Sequence, residues 1–295
     1  MTSNIYSNNT IIGNWEIIEL IWNKYKTQIY EVENINIKND KIKWVMKISN
    51  NSGEIDIINK LNLYKEPNII SMPILDEDRY GKYNNEFWCV MEKYDGDVYD
   101  FQQYCWKNIN KLGLYLINFL EWLHIKKHKI HGDIKIHNIV VSITDSIINN
   151  FSIIDFENMS EPYSQVYCSE DLPDDSYYYS IGCQLNKNYF SYRMDLQSVG
   201  YILCYLLEAE EEHNNLLDDL YYDSVRYIDW KNIAVKYYKS NTKYNYFNEI
   251  EIIRDKHTKN MPKIIKNYFN IIEKLDWECL VPNSEIYIEL KKLFI

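Results

Sequence analysis

The hydrophobic pattern of the chain changes at the turn Asp95-Gly96-Asp97, and this change limits the folds open to it. Before the turn, apolar and β-branched residues form short runs typical of strands. After it, apolar residues recur at three- and four-residue intervals typical of helices. The 295 residues are enough for one large domain or two lobes. We therefore predict an α+β fold with a β-rich N-terminal third, a hinge and a mostly helical remainder.

Three β-rich runs precede the turn, and polar residues separate them. They span residues 15–22, 28–34 and 41–49, and they predict an antiparallel meander. Apolar residues at helical spacing predict a short helix over 53–63, and another strand is predicted over 87–92. The N-terminal part is therefore expected to form a sheet accompanied by one helix.

Beyond the turn, a long amphipathic helix is predicted to end at the basic residues Lys126 and Lys127. Its apolar face consists of Leu112, Leu116, Phe119, Leu120 and Leu123. A second apolar helix is predicted over 195–207.

Charge and cysteine content exclude several classes of protein. Lys and Arg total 32 against 43 Asp and Glu, a net charge of −11, which argues against general binding to a nucleic-acid backbone. The sequence contains no run of eighteen apolar residues and no secretory signal pattern, so we expect neither a membrane span nor export. Six scattered cysteines without a CxxC pair indicate buried thiols in a reducing compartment, with a disulfide framework as the alternative.

The most informative segment, residues 131–138, reads HGDIKIHN and follows the long helix directly. Phosphoryl transfer needs a base, a cation and a metal ligand in one tight loop. Asp133 can accept a hydroxyl proton, Lys135 can offset phosphoryl charge, and Asn138 can bind a metal ion. Asp155, after the next predicted strand, can hold a second Mg²⁺. The alternative is a turn rich in polar capping residues.

This HGDIKxxN segment resembles the catalytic loop of the vaccinia-related kinase family, eukaryotic-type Ser/Thr protein kinases of the casein-kinase-one-like group. Its poxvirus branch is similar at further points. These are WVMKI at 44–48, LKKLF at 290–294 and SYRMDL at 191–196, the last similar to the family's SRRGDL. The resemblance extends over nearly the entire chain.

The resemblance implies a bilobal protein-kinase-like fold. Residues 1–94 would form an antiparallel β N-lobe, and residues 95–295 would form a mainly helical C-lobe. The C-lobe would carry the catalytic loop 131–138 and a metal motif at 155–157. The cofactors implied are ATP and Mg²⁺.

Catalytic roles carry over from the family residue by residue. Asp133 would be the base and Lys135 the phosphate-side lysine, while Asn138 and Asp155 would be the metal ligands. Asp195 would hold the backbone of the catalytic loop from the helix beneath it. His131 is expected to pack under the loop and bond the backbone, rather than to take part in chemistry.

Nucleotide-binding roles carry over to the N-terminal part. Lys47 would hold the α- and β-phosphates, and Glu54 would pair with it from the following helix, although the spacing of six residues is shorter than in relatives. The remaining nucleotide-binding positions comprise the covering strand, the gatekeeper and the hinge. They are Leu20 and Lys24 on the covering strand, Met91 as the gatekeeper, and Glu92, Lys93 and Tyr94 at the hinge.

The chain departs from the family pattern at several positions. The three glycines of GxGxxG correspond to Trp22, Lys24 and Thr27, and Glu157 replaces the glycine of DFG. Gly132 replaces the arginine of the common HRD motif, as elsewhere in the vaccinia-related family. The Ala-Pro-Glu motif is missing, and the divergent stretch 176–185 stands in its place.

Two functions follow from these observations. The first is an active Ser/Thr protein kinase with weakened nucleotide binding. The second is a pseudokinase that acts as a binding or scaffold module. The resemblance implies a protein substrate, a host or viral protein partner and a location in infected-cell cytoplasm. Direct binding to nucleic acid or to a membrane is not expected.

Overall fold

The computed structural model describes residues 5–24, 27–37, 41–62, 72–73, 76–162, 191–215, 263–275 and 284–295. The chain divides into two compact units, which are considered separately. The first unit consists of Met1–Gly96, Val140–Ser142 and Ser152–Glu157. The second consists of Asp97–Ile139, Ile143–Phe151 and Asn158–Ile295. Segment 155–157 belongs to the first unit, and the first break between the units follows Gly96.

A six-stranded sheet forms most of the first unit. Its strands run in the order β1-β2-β3-β4-β6-β5, and every neighbouring pair is antiparallel. The strands are β1 (Ile11–Ile12), β2 (Trp15–Lys24), β3 (Thr27–Asn34), β4 (Trp44–Ser49), β5 (Tyr80–Tyr83) and β6 (Glu86–Glu92). Because β2, β3 and β4 pair in chain order, the predicted meander is confirmed.

Alternation along the strands gives this sheet two different faces. In β4, Trp44, Met46 and Ile48 are buried, whereas the residues between them are only half-buried. Successive side chains of a strand project to opposite faces. The buried face forms an apolar core with side chains from β1, β2, β3 and β6, and the opposite face carries Lys47.

Two helices accompany the sheet. They are α1 (Gly53–Leu61) and α2 (Asp76–Arg79). The helix predicted over 53–63 is confirmed, and it ends at Asn62, whose φ of 52° is a left-handed conformation common at helix C-termini.

A second sheet has three strands in the order β7-β8-β9. They are β7 (Gly96–Asp97), β8 (Ile139–Thr144) and β9 (Ile147–Ile153). Two residues with positive φ, Asp145 (52°) and Ser146 (64°), join β8 to β9, as in the type I′ turns of tight hairpins.

The second unit is largely helical in its described part. Its helices are α3 (Gln102–Cys105), α4 (Ile109–Glu121), α5 (Tyr192–Asn215), α6 (Lys263–Ile272) and α7 (Ser284–Lys291). The predicted apolar face of α4 is buried throughout, and α4 continues into a π-helical turn, Trp122–Lys126. The predicted second helix corresponds to α5.

The C-terminal helix α7 packs against α4. A Cβ at Gly113 would overlap the ring of Phe294, so the glycine allows this close approach. Lys291 forms an ion pair of 2.6 Å with Glu121 at the end of α4.

The structure thus combines helices with an antiparallel sheet, as predicted from the hydrophobic pattern. Among the described residues, we find no helix with both the length and the apolar character needed to cross a membrane. Cys89 and Cys105 are buried free thiols, as predicted.

Two candidate catalytic groups

The first group surrounds Lys47 in the first unit. The Lys47 Nζ atom lies 2.7 Å from Glu54 Oε2 and 3.0 Å from Asp155 Oδ1. The second carboxylate oxygen of Glu54 accepts a hydrogen bond of 3.1 Å from the backbone N–H of Phe156. The pairing of Lys47 with Glu54 predicted by resemblance is therefore confirmed, and Asp155 joins the same network.

The short spacing between Lys47 and Glu54 is accommodated locally. Strand β4 ends at Ser49, and α1 begins at Gly53, where the backbone N–H donates to Asn51 Oδ1 at 2.9 Å. Glu54 consequently lies in the first turn of α1, where the helix dipole favours negative charge. The six-residue spacing still brings the carboxylate to the lysine.

Burial and charge oppose each other at Lys47. Burial lowers the pKa of the Lys47 ammonium, but attraction to Glu54 and Asp155 outweighs it, so the net pKa is raised. The lysine therefore carries its charge throughout the physiological range. A buried charge of this kind is retained only when it is paired, and here two carboxylates pair it.

The backbone at Asp155 is unusual. Its φ is 66°, a left-handed conformation that Asp tolerates better than most residues with a side chain. Such conformations carry strain and cluster at functional sites. Phe156, the next residue, is buried, whereas Glu157 is exposed.

The strand register shows which residues share the sheet face with Lys47. Lys47 pairs with Ile29 on β3 and with Cys89 on β6, and Met91 pairs with Val45. Directly opposed residues project to the same face. Burial raises the pKa of the Cys89 thiol, and Glu54 raises it further, so the neutral thiol is the stable form beside Lys47.

The same register separates Leu20 from Lys47. Leu20 pairs with Tyr30, whose side chain lies in the apolar core, so the ladder assigns Leu20 to the core face of the sheet. After an irregularity in the register, Trp22 pairs with Ile29 and so shares the face of Lys47. The resemblance assigns Leu20 to the nucleotide, and this assignment stays a prediction. The earlier irregularity, between Ile17 and Glu19, is the one that sets the face of Leu20.

The covering segment continues the ladder without glycine. Pairing between β2 and β3 is described up to Lys24 and Thr27, and Trp22 is 42% exposed. Glycines in a phosphate-covering loop let backbone N–H groups approach the phosphates closely. A side chain at each corresponding position keeps the backbone further away.

The predicted hinge follows β6. Glu92 ends that strand opposite Trp44, and the backbone N–H of Lys93 donates to Lys43 O at 2.7 Å. The Lys93 ammonium pairs with Glu31, and Tyr94 is half-buried.

The second group lies in the second unit, on the loop 131–138. Lys135 Nζ is 2.7 Å from Asp133 Oδ2. The amide nitrogen of Asn138 donates to the Asp133 carbonyl at 2.9 Å and to its carboxylate at 3.0 Å. These bonds fix the Asp133 carboxylate and direct the amide oxygen of Asn138 away from it.

The loop backbone is held from α5. The Asp195 carboxylate accepts hydrogen bonds from the backbone N–H of His131 at 2.7 Å and of Gly132 at 3.0 Å. Gly132 has a φ of 79°, a conformation that favours glycine over the arginine of HRD. His131 is fully buried, and its Nδ1 accepts a hydrogen bond of 3.3 Å from the backbone N–H of Asp133, so both predictions for this loop are confirmed.

His124 has a buried partner that the sequence does not indicate. Its Nε2 lies 2.9 Å from Asp195 Oδ2, and both side chains are buried. In the sequence, the spacing of His124, His128 and His131 suggests only a zinc site, which no cysteine or acid completes.

The available metal donors are oxygen atoms. No group of three or more His, Cys, Asp or Glu side chains in the described ranges could hold a metal ion. Asp155 in the first unit offers carboxylate oxygens, a donor type that suits Mg²⁺. Asn138 in the second unit offers an amide oxygen, which is also a hard donor. Segment 176–185 lies outside the described residues.

Comparison with known proteins does not identify a family. No protein-family model matches the chain, and no curated protein matches it.

Proposed function

We propose that the chain is a Ser/Thr protein kinase of bilobal kinase-like fold, which transfers the γ-phosphoryl group of ATP to a protein hydroxyl with weakened nucleotide binding. One observation carries the proposal. Lys47 and Asp155 are 108 residues apart in sequence, yet their side chains form an ion pair of 3.0 Å. The resemblance implies a nucleotide-binding role for Lys47 and a metal-binding role for Asp155.

The residues present supply the groups that phosphoryl transfer requires. Asp133 accepts the proton of the acceptor hydroxyl as the new oxygen–phosphorus bond forms. The bond between the γ-phosphorus and the bridging oxygen breaks, and ADP leaves. Lys135 offsets charge on the transferred group, and Lys47 binds the remaining phosphates.

The resemblance implies that Asn138 and Asp155 are each metal ligands. When bound, Mg²⁺ neutralises charge on the phosphate oxygens. The Asp155 carboxylate also pairs with the Lys47 ammonium, at 3.0 Å.

A second candidate function, a pseudokinase, is favoured by the β2–β3 hairpin. Trp22 shares the sheet face of Lys47 by register, and all three covering positions carry side chains. A chain that keeps the charged groups but binds nucleotide poorly would act as a binding or scaffold module for a host or viral protein.

The two functions are separated by labelling and melting experiments on the full chain. The kinase proposal requires Mg²⁺·ATP to raise the melting temperature, because a ligand that binds only the folded state stabilises it. It also requires purified protein to label itself or casein from γ-labelled ATP. Absence of both effects at millimolar ATP rejects the kinase proposal and leaves the binding module.

A further inference from the structure

The hydrogen-bonded chain beneath the loop 131–138 extends beyond Asp195 to the C-terminal helix. The Nδ1 atom of His124 lies 2.5 Å from the hydroxyl of Tyr287 on α7, and its Nε2 atom lies 2.9 Å from Asp195. The three side chains are fully buried. Tyr287 is 163 residues from His124 in sequence.

The chemistry of these groups sets the direction of each hydrogen bond. An ionised carboxylate only accepts, so the Nε2–H of His124 donates to Asp195. In a neutral imidazole the other nitrogen, Nδ1, then carries no hydrogen and accepts from the Tyr287 hydroxyl. The Asp195 carboxylate therefore selects the Nε2–H tautomer, and the Tyr287 hydroxyl donates to the nitrogen that this tautomer leaves bare.

We propose that Tyr287 is a positioning residue for the loop 131–138. Its hydroxyl holds the His124 ring in place through Nδ1, and the Nε2–H of that ring orients the Asp195 carboxylate. The carboxylate in turn holds the backbone N–H groups of His131 and Gly132, immediately before Asp133. The effect on phosphoryl transfer rests on the proposed function, whereas the effect on the loop backbone does not.

The position of Tyr287 is itself fixed by packing of the C-terminal segment. Leu290 is fully buried, Lys291 pairs with Glu121, and Phe294 packs on Gly113. Docking of α7 on α4 therefore determines whether the hydroxyl reaches the imidazole.

Tyr268 provides a matched control. It is also fully buried in the second unit, and its hydroxyl donates a hydrogen bond of 2.8 Å to the carbonyl of Leu196, the residue after Asp195. Tyr268→Phe and Tyr287→Phe each remove one buried hydroxyl near the same carboxylate. Each substitution removes one buried hydrogen bond, so the two variants should lose similar stability. Only Tyr287→Phe removes the bond to the imidazole, so only this variant should loosen the loop 131–138.

The first measurement is the rate of amide hydrogen exchange at His131 and Gly132, monitored by NMR on the full chain. We expect exchange about fivefold faster in Tyr287→Phe than in wild type, and unchanged in Tyr268→Phe, because loss of one weak bond loosens only the connected backbone. Equal exchange in the two variants overturns the proposal.

The second measurement requires no variant. Nitrogen chemical shifts of His124 in wild type should show Nε2 protonated and Nδ1 bare, and a protonated Nδ1 overturns the proposal even if Tyr287→Phe does not fold.

In labelling assays, kcat of Tyr287→Phe should fall about tenfold with an unchanged KM for Mg²⁺·ATP, since the base is misplaced. An unchanged kcat in an active enzyme overturns the catalytic role. If wild type transfers no phosphate, the proposed kinase function fails, and the exchange experiment still decides the positioning role.

Discussion

Lys47 and the β2–β3 hairpin lie in the same antiparallel sheet, but the Lys47 group and the hairpin differ in what they retain of the kinase pattern. The Lys47 group keeps the charged side chains that the proposed phosphate site requires, with ion pairs of 2.7 and 3.0 Å. The hairpin keeps its ladder but has Trp22 where a covering loop would have glycine. Charged groups depend on side-chain identity, whereas a covering loop depends on backbone that no side chain obstructs.

This difference predicts that chemistry and nucleotide affinity respond to separate substitutions. Changes to the charged groups should abolish transfer or destabilise the fold. Changes to the hairpin should alter affinity alone, because covering loops act mainly on binding and closure.

The largest effect is expected from Asp133→Asn. Loss of the base should lower the labelling rate about a thousandfold, because general-base catalysis contributes on that scale. The asparagine keeps the shape of the side chain, so the melting temperature and its rise with Mg²⁺·ATP should persist. Labelling that survives at the wild-type rate would contradict the assignment of the base.

Lys47→Met should have the next largest effect. It leaves the carboxylates of Glu54 and Asp155 without their ammonium, and breaking a buried pair in this way costs about 3 kcal/mol of unfolding free energy. Denaturant unfolding measures the loss. Lys43→Met, at an exposed position just before β4, is the control and should cost under about 0.5 kcal/mol. Similar losses in both variants would show that the ion pairs do not stabilise the first unit.

Trp22→Gly tests the hairpin directly. Removing the indole and freeing the backbone should tighten Mg²⁺·ATP binding about tenfold, a gain on the order of one hydrogen bond to a phosphate. Calorimetric titration measures it. Leu20→Gly, on the other sheet face by register, should leave the affinity unchanged. If neither variant changes the affinity, the hairpin does not limit nucleotide binding.

The smallest effect is the pH dependence of the Lys47 pairs. Because the folded pKa of Lys47 is raised overall, their contribution to stability is complete below the unfolded pKa of about 10.4 and declines only as pH rises above it. The difference in unfolding free energy between wild type and Lys47→Met should therefore stay constant from about pH 7 to pH 10. If the difference in unfolding free energy decreases between about pH 7 and pH 10, the lysine loses its charge at a lower pH than its two carboxylate partners imply.

Much of the first unit could be predicted from its pattern. Alternation of apolar and polar residues located β3, β4 and β6 to within a few residues. In the second unit, the spacing of the 131–138 motif predicted that Asp133, Lys135 and Asn138 act together, and their side chains are hydrogen-bonded to one another. The sheet face of Leu20 could not be predicted from alternation. A register irregularity between Ile17 and Glu19 adds a residue to β2, and no feature of the strand composition marks it.

The sequence by itself determined which chemical groups are available, namely the carboxylates, ammonium groups and amide of the two motifs. Through strand and helix periodicity, it also determined most of the faces on which side chains lie. Only the tertiary structure decided that Asp155 meets Lys47 across 108 residues and that Tyr287 meets His124 across 163. The physical reason is that periodicity acts over a few residues, whereas contacts between distant side chains depend on how whole elements pack.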